Sequence, residues 1–252
     1  MFKLSSVTSA VMLAASATLL VAACGGSDSS SPVVSPPGTS ATVVDAQVFR
    51  SVKALDTGWK FVQDDVLTDE QALAASGATW ESVKLPHTWN ASDAATTAQS
   101  TPYTQLYKRG LGWYRLEVDG NAVSGATKWL QFDAASIAAD VWINGVKLGQ
   151  HKGAFTSFRF DVSSLLKPGK NVIVVKTDNR RPTLATDATA IAPLSGDFNM
   201  AGGLYRGVSL IGTPATANIA LGDLGGTGVY ARTVRLSGKN ASVTVQTKLE
   251  NA

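Results

Sequence analysis

The 252-residue sequence predicts an all-β protein, a two-sheet sandwich of jelly-roll type, on three observations. Apolar residues recur with the period of two that a half-buried strand needs. The clearest run is "GWYRLEV" (Gly112–Val118), where Tyr114, Leu116 and Val118 face one way and Trp113, Arg115 and Glu117 the other. Turn signals separate such runs: Asn144-Gly145 lies between apolar stretches, and both residues tolerate the positive φ of a type I′ hairpin turn. Pro168-Gly169 marks a second turn. Helix signals are few. "LTDEQALAASG" (Leu67–Gly77) offers Thr68 as N-cap, Gln71 three residues later and Gly77 as a stop, which predicts one short surface helix. Many short strands with turns between them suit a sandwich.

In chain order, residues 1–23 read as a secretory signal, with Lys3 near the start, an apolar core and small residues before Cys24. "LVAAC" resembles the lipobox of bacterial lipoproteins, whose Cys becomes the lipid-bearing N-terminus; the alternative is an ordinary signal peptide with an incidental Cys. Residues 24–43 are rich in Gly, Ser and Pro and form a flexible tether that cannot bury a core. These two segments together imply a chain lipid-anchored in the bacterial cell envelope, its membrane contact made through the lipid.

Residues 44–213 form the predicted jelly-roll domain. Strands are expected in "GWYRLEV", "KWLQFDA", the two arms of "AADVWINGVKLGQHKG", the five residues Val172–Lys176, and "GLYRGVSLIG". Pro214 breaks the pattern, and residues 214–252 hold two more alternating stretches, "VYARTVRL" and "ASVTVQTKLE". So few strands do not make a stable sandwich. The chain is therefore expected to stop inside a second β domain, unless these strands complete the first.

Composition excludes several classes of function. Apolar content of 44% and charged content of 16% suit a folded protein. The net charge is +3, one positive being Lys3 in the leader, and no Lys/Arg cluster forms the basic stripe of a nucleic-acid binder. Cys24 is the only Cys, so no intrachain disulfide and no Cys-based zinc site is expected. The two His lack metal spacing, and neither a Ser nucleophile elbow nor a phosphate-cradling Gly loop is present. No cofactor or metal is predicted.

Five blocks then occur in order: "LDTGWKF" (Leu55–Phe61), "WESVKLPHTWN" (Trp80–Asn90), "GLGWYRLEV", the long block from Phe132 to Asn179 that contains "VWINGVKLGQHKGAF", and "IAPLSGDFNMAGGLYRGVSLIG" (Ile191–Gly212). Together, over Val48–Gly212, they resemble the N-terminal sugar-binding domain of glycoside hydrolase family 2, the β-galactosidase and β-glucuronidase family. The resemblance implies a galactose-binding-like jelly roll, then an immunoglobulin-like sandwich, then a TIM barrel that carries the chemistry. It also implies a retaining β-galactosidase acting on β-linked oligosaccharides or polysaccharides, with this chain as its non-catalytic N-terminal part.

In that family the acid six residues before the Gly of the Gly-Ile/Leu-aromatic-Arg block reaches into the barrel and binds substrate hydroxyls. Asp197 stands six before Gly203 in "GLYR", so the resemblance assigns it that contact. A carboxylate suits the task because charge-assisted hydrogen bonds are about twice as strong as neutral ones; the alternative is an Asp that holds its own loop. Asn90 is a second candidate contact, and Trp89 stands between stacking on a sugar and packing in the core. Trp142 reads as core, His87 and His151 as structural, and Arg206 as the partner of a carboxylate inside the fold or at the barrel interface. One departure is Gly207, where many relatives carry an acid after that Arg.

Retaining glycosidases need two carboxylic acids about 5–5.5 Å apart. The chain's four Glu (Glu70, Glu81, Glu117 and Glu250) lie in a helix, beside Trp80, on a strand face and near the end, and none reads as such a pair. No catalytic residue is assigned. The competing functions are a free-standing carbohydrate-binding surface lipoprotein and a module that only braces its parent enzyme.

Overall fold

The structure, a computed structural model, describes residues 50–93, 108–180, 201–223 and 225–250. Its main body is a jelly-roll sandwich of two antiparallel sheets. The first contains β1 (Ser51–Ala54), β10 (Val208–Thr213), β5 (Thr127–Phe132) and β8 (Phe158–Asp161), in that spatial order. The second runs β3 (Glu81–Val83), β2 (Trp59–Gln63), β4 (Leu111–Asp119), β9 (Lys170–Asp178), β6 (Ala138–Ile143), β7 (Val146–Lys152). Between them lies the core, where Tyr114, Leu116 and Val118 of β4 meet Leu130 and Phe132 of β5 and Leu210 of β10. Phe132 and Phe158 stack at 4.7 Å within it.

The alternation in β4 holds, with one addition. Trp113, on the opposite face from Tyr114, is also buried, in a second cluster with Trp142 and Val174. Helix α1 (Asp69–Leu73) supplies Ala72 to that cluster and so covers the outer face of the six-stranded sheet. Lys176 lies 5.1 Å from the centre of the Trp113 ring and 5.5 Å from that of Trp142, and its ammonium is held by Asp69 at 2.8 Å.

Thr68 and Gln71 form the expected capping box. The stop differs. Ala75, at φ 54°, takes the left-handed position; its N–H donates to Ala72 O at 3.1 Å and that of Ser76 to Gln71 O at 2.8 Å. This is a Schellman closure built on an alanine, two residues before Gly77. Strand β9 is also longer than expected, because β4 pairs with all nine of its residues. Strand β10 starts only at Val208; the preceding "GLYRG" crosses the end of the sandwich, where an isolated bridge joins Gly203 to Ser136 and Leu204 O and Gly207 O accept from the His87 and Asp133 N–H groups.

After Thr213 come β11 (Asn218–Ile219), β12 (Val229–Ser237), β13 (Asn240–Thr247) and β14 (Leu249–Glu250). β11 pairs with β14, and β12 with β13. In the hairpin β12–β13, a bulge between Thr233 and Arg235 keeps Val229, Ala231, Thr233 and Leu236 on one face with Ala241, Val243 and Val245. That apolar face is open, with Leu236 74% exposed.

Candidate functional site

Strand register gathers several loops at one end of the sandwich. Leu111 at the start of β4 and Ala138 at the start of β6 both pair with Asp178 at the end of β9, and Ala138 also pairs with Lys152 at the end of β7. Residues 108–110, 133–137, 153–157, 179–180 and 201–207 therefore emerge together, and the loop after β3, residues 84–93, folds back onto them through the contacts of Trp89 and Asn90 with Gly112 and Gly202.

Trp89 and Asn90 lie at the centre of this end. The Trp89 ring stacks on Phe61 at 5.9 Å, and its Nε1 donates to Lys108 O at 3.1 Å. Two glycines make room for it. A Cβ on Gly112 would stand 2.3 Å from Trp89 Cζ3, and one on Gly202 2.1 Å from Cζ2. Asn90 is fully buried; its Oδ1 accepts from the Gly202 N–H at 3.1 Å and from Thr88 Oγ1 at 2.5 Å. A side chain in the "HTWN" loop thus fixes the backbone of the "AGGLYR" strap, 112 positions away.

Asn179 was not singled out in the sequence, yet it is equally buried and central. Its Oδ1 accepts from Gly110 N at 2.9 Å and its carbonyl from Arg109 Nη1 at 2.9 Å. Its Nδ2 stands 2.7 Å from where a Cβ of Gly202 would lie. The signal available in sequence was an Asn directly after a strand, too common a feature to select it.

The histidines are structural, as expected. His87 Nδ1 lies 2.7 Å from Tyr114 Oη, and its ring packs on Phe61 at 4.6 Å. Burial lowers the His87 pKa, with Glu81 pulling weakly the other way. Burial also pushes the Tyr114 hydroxyl well above the usual phenol range, so burial favours the neutral form of both groups. His151 stacks on Phe158 at 4.1 Å and its Nε2 meets Thr156 Oγ1 at 3.1 Å; burial lowers its pKa too.

Arg206 pairs with no carboxylate among the described residues: its Nη1 donates to Phe155 O at 3.3 Å and its guanidinium lies 5.5 Å from the centre of the Tyr205 ring. The acid missing at Gly207 has a neighbour in its place, since a Cβ there would come within 2.8 Å of Asp133 Oδ2. Trp142 is core, as read. Asp197 and Cys24 lie outside the described residues.

The buried amides and the Trp89 ring at this end are engaged with the protein itself, Asn90 with Gly202 and Thr88, Asn179 with Gly110, and Trp89 with Phe61. Among the described residues the glutamates are dispersed over α1, β3, β4 and β14, and no group of three His, Cys, Asp or Glu is placed to hold a metal.

The fold is a β-sandwich of jelly-roll type with one end built from loops. The sequence model of the glycosyl hydrolases family 2 sugar binding domain matches residues 52–214, and the chain belongs to that family. It is 36% identical over 171 residues to a β-glucuronidase of Bacteroides fragilis, covering 67% of this chain and 23% of that protein. It is 33% identical over 162 residues to a putative β-glucuronidase of Formosa agariphila, covering 64% of this chain and 18% of the relative. A crystal structure of a putative β-galactosidase from Bacteroides fragilis superposes with a TM-score of 0.65 at 34% identity, covering 81% of this chain and 29% of that one. The chain thus spans about a fifth of the length of these curated relatives.

Proposed function

We propose that this chain is the sugar-binding N-terminal part of an exported, lipid-anchored family 2 glycosidase that removes a terminal β-linked sugar with retention, its reactive carboxylates lying in a separate catalytic domain. The observation that carries this is the family match over residues 52–214. The packing of the "HTWN" loop on Gly202 supports it, because Gly202 stands five residues after Asp197 in the sequence. In this reading Asp197 binds a substrate hydroxyl and Trp89 borders the same pocket, while the buried Asn90 holds Gly202 in place. The lipid on Cys24 and the tether 24–43 hold the enzyme at the cell envelope.

The expected substrate is a β-galactoside, the sugar named for the superposing Bacteroides fragilis structure. A β-glucuronide is the second reading, favoured by the names of the Bacteroides fragilis and Formosa agariphila relatives. Full-length protein assayed on chromogenic β-galactosides and β-glucuronides separates the two; hydrolysis of neither overturns the glycosidase reading. Asp197→Ala in that protein is expected to lower kcat/KM at least tenfold with folding unchanged. That corresponds to one charged hydrogen bond of about 1.5–3 kcal/mol, and wild-type kinetics would remove Asp197 from the pocket.

A further inference from the structure

Arg159 stands on β8, at the edge of the four-stranded sheet. Its side chain turns away from the sandwich core toward the turn that follows β11. Nη1 donates to Leu221 O at 2.8 Å and Gly226 O at 3.0 Å, and Nη2 to Gly225 O at 3.0 Å. Arg50, just before β1, donates to Ile219 O. Ser157 Oγ adds a bond to Gly225 O at 3.0 Å. Three carbonyls of the turn and that of Ile219 in β11 thus point at two guanidiniums, and among the described residues Arg159 makes no ion pair. A guanidinium fits such a cage because its fork of donors is planar and fixed.

The turn is short of side chains where the cage forms. Gly225 has φ +81°, and a Cβ there would stand 2.3 Å from Ser157 O; one on Gly226 would stand 2.5 Å from Tyr230 Oη. On its other side the turn is tied to the following strands. Asp223 accepts from Lys248 Nζ at 2.6 Å and from Tyr230 Oη. Apolar burial contributes little here: Leu221 is the one buried apolar side chain among the described residues beyond Thr213.

We propose that Arg159 is a latch, a positioning residue whose hydrogen bonds to a cage of carbonyls fix the β11–β14 unit on the sandwich in place of an apolar seam. The latch stands apart from the substrate reading above and holds whatever sugar the protein takes.

Hydrogen exchange on the full chain tests it. The Ala220 N–H bonds Lys248 O and the Lys248 N–H bonds Gly228 O, both at 2.9 Å, so these amides report the unit beyond the latch. Arg159→Met is expected to speed their exchange at least tenfold while the amides of β4 and β9 keep wild-type protection. Gly225→Ala, which pushes the turn away from the opposite side, should give the same pattern; Arg159→Lys, with one donor centre for two, should fall between. Unchanged exchange at Ala220 and Lys248 in Arg159→Met overturns the proposal. Should Arg159→Met fail to fold, Gly225→Ala decides: loss of β4 and β9 protection there also would make this turn part of the sandwich's own fold and not a latched neighbour.

Discussion

Gly145 and Gly202, at opposite ends of the sandwich, are glycine for opposite reasons. At the hairpin end, Asn144 and Gly145 sit at φ 51° and 82°, and a Cβ on Gly145 would meet nothing within 4 Å. Only the backbone conformation requires glycine there. At the loop-built end, Gly202 has no positive φ, but a Cβ would lie 2.1 Å from Trp89 and 2.7 Å from Asn179. Only absent volume requires glycine there. The hairpin end is also fixed by near neighbours, Asn144 Nδ2 reaching Leu165 O at 2.9 Å and its Oδ1 accepting from Val172 N at 3.0 Å. The other end is held by bonds between residues 69 to 112 positions apart. A turn shaped by local conformation is stiff by itself, whereas an end shaped by packing depends on every loop that reaches it.

One substitution made at both ends exposes the difference. Gly202→Ala is expected to cost about 3 kcal/mol, the upper part of the range for overpacking a filled site, because an indole and a buried amide must both move. Asn90→Ala follows at about 2 kcal/mol, since it leaves the buried Gly202 N–H without its acceptor at Asn90 Oδ1. Gly145→Ala should cost about 1 kcal/mol, the strain of a left-handed alanine in open space. Urea denaturation of the three variants gives the order, and equal costs at Gly202 and Gly145 would abolish the distinction. Exchange measurements sharpen it: Gly202→Ala should loosen the amides of His87 and Leu204 and leave that of Asn144 protected.

What was legible in the sequence follows the same division. The Asn144-Gly145 turn, the Thr68–Gln71 capping box and the alternation in β4 are decided within a few residues, and each stands where the pattern put it. The helix stop was misread because a Schellman closure needs a left-handed residue, and Ala75 takes that conformation despite its Cβ. The start of β10 was misread because Gly203–Gly207 carries strand-like residues across the sandwich end, where one bridge to Ser136 is its only ladder contact. At the candidate site the resemblance pointed to the "HTWN" loop and the strap, but neither shows in sequence that Gly202 must stay empty for Trp89. Asn179 was overlooked for the same reason: its value lies in Gly110 and Arg109, some 70 positions away.

Acidification should act on one end only, and this is the smallest of the expected effects. Both histidines of the chain, His87 and His151, lie at the loop-built end, and burial lowers both pKa values below the ordinary 6.5. With depressed folded-state values, the unfolded chain takes up protons first as the pH drops. Their contribution to stability is therefore complete above about pH 6.5 and is lost as the pH falls through the folded-state values, before most carboxylates titrate. Both rings are partly solvent-exposed, which keeps the effect modest. The urea midpoint should fall between pH 7.5 and 5.5, and the slope should flatten in the double variant His87→Gln, His151→Gln. Exchange at the His87 amide, which bonds Leu204 O at 2.8 Å, should quicken over that interval while the Asn144 amide, bonded to Val172 O at 2.8 Å, keeps its rate after correction for intrinsic chemistry. Parallel change at both amides would mean that protonation destabilises the sandwich as a whole, and that its two ends are coupled more tightly than their separate construction implies.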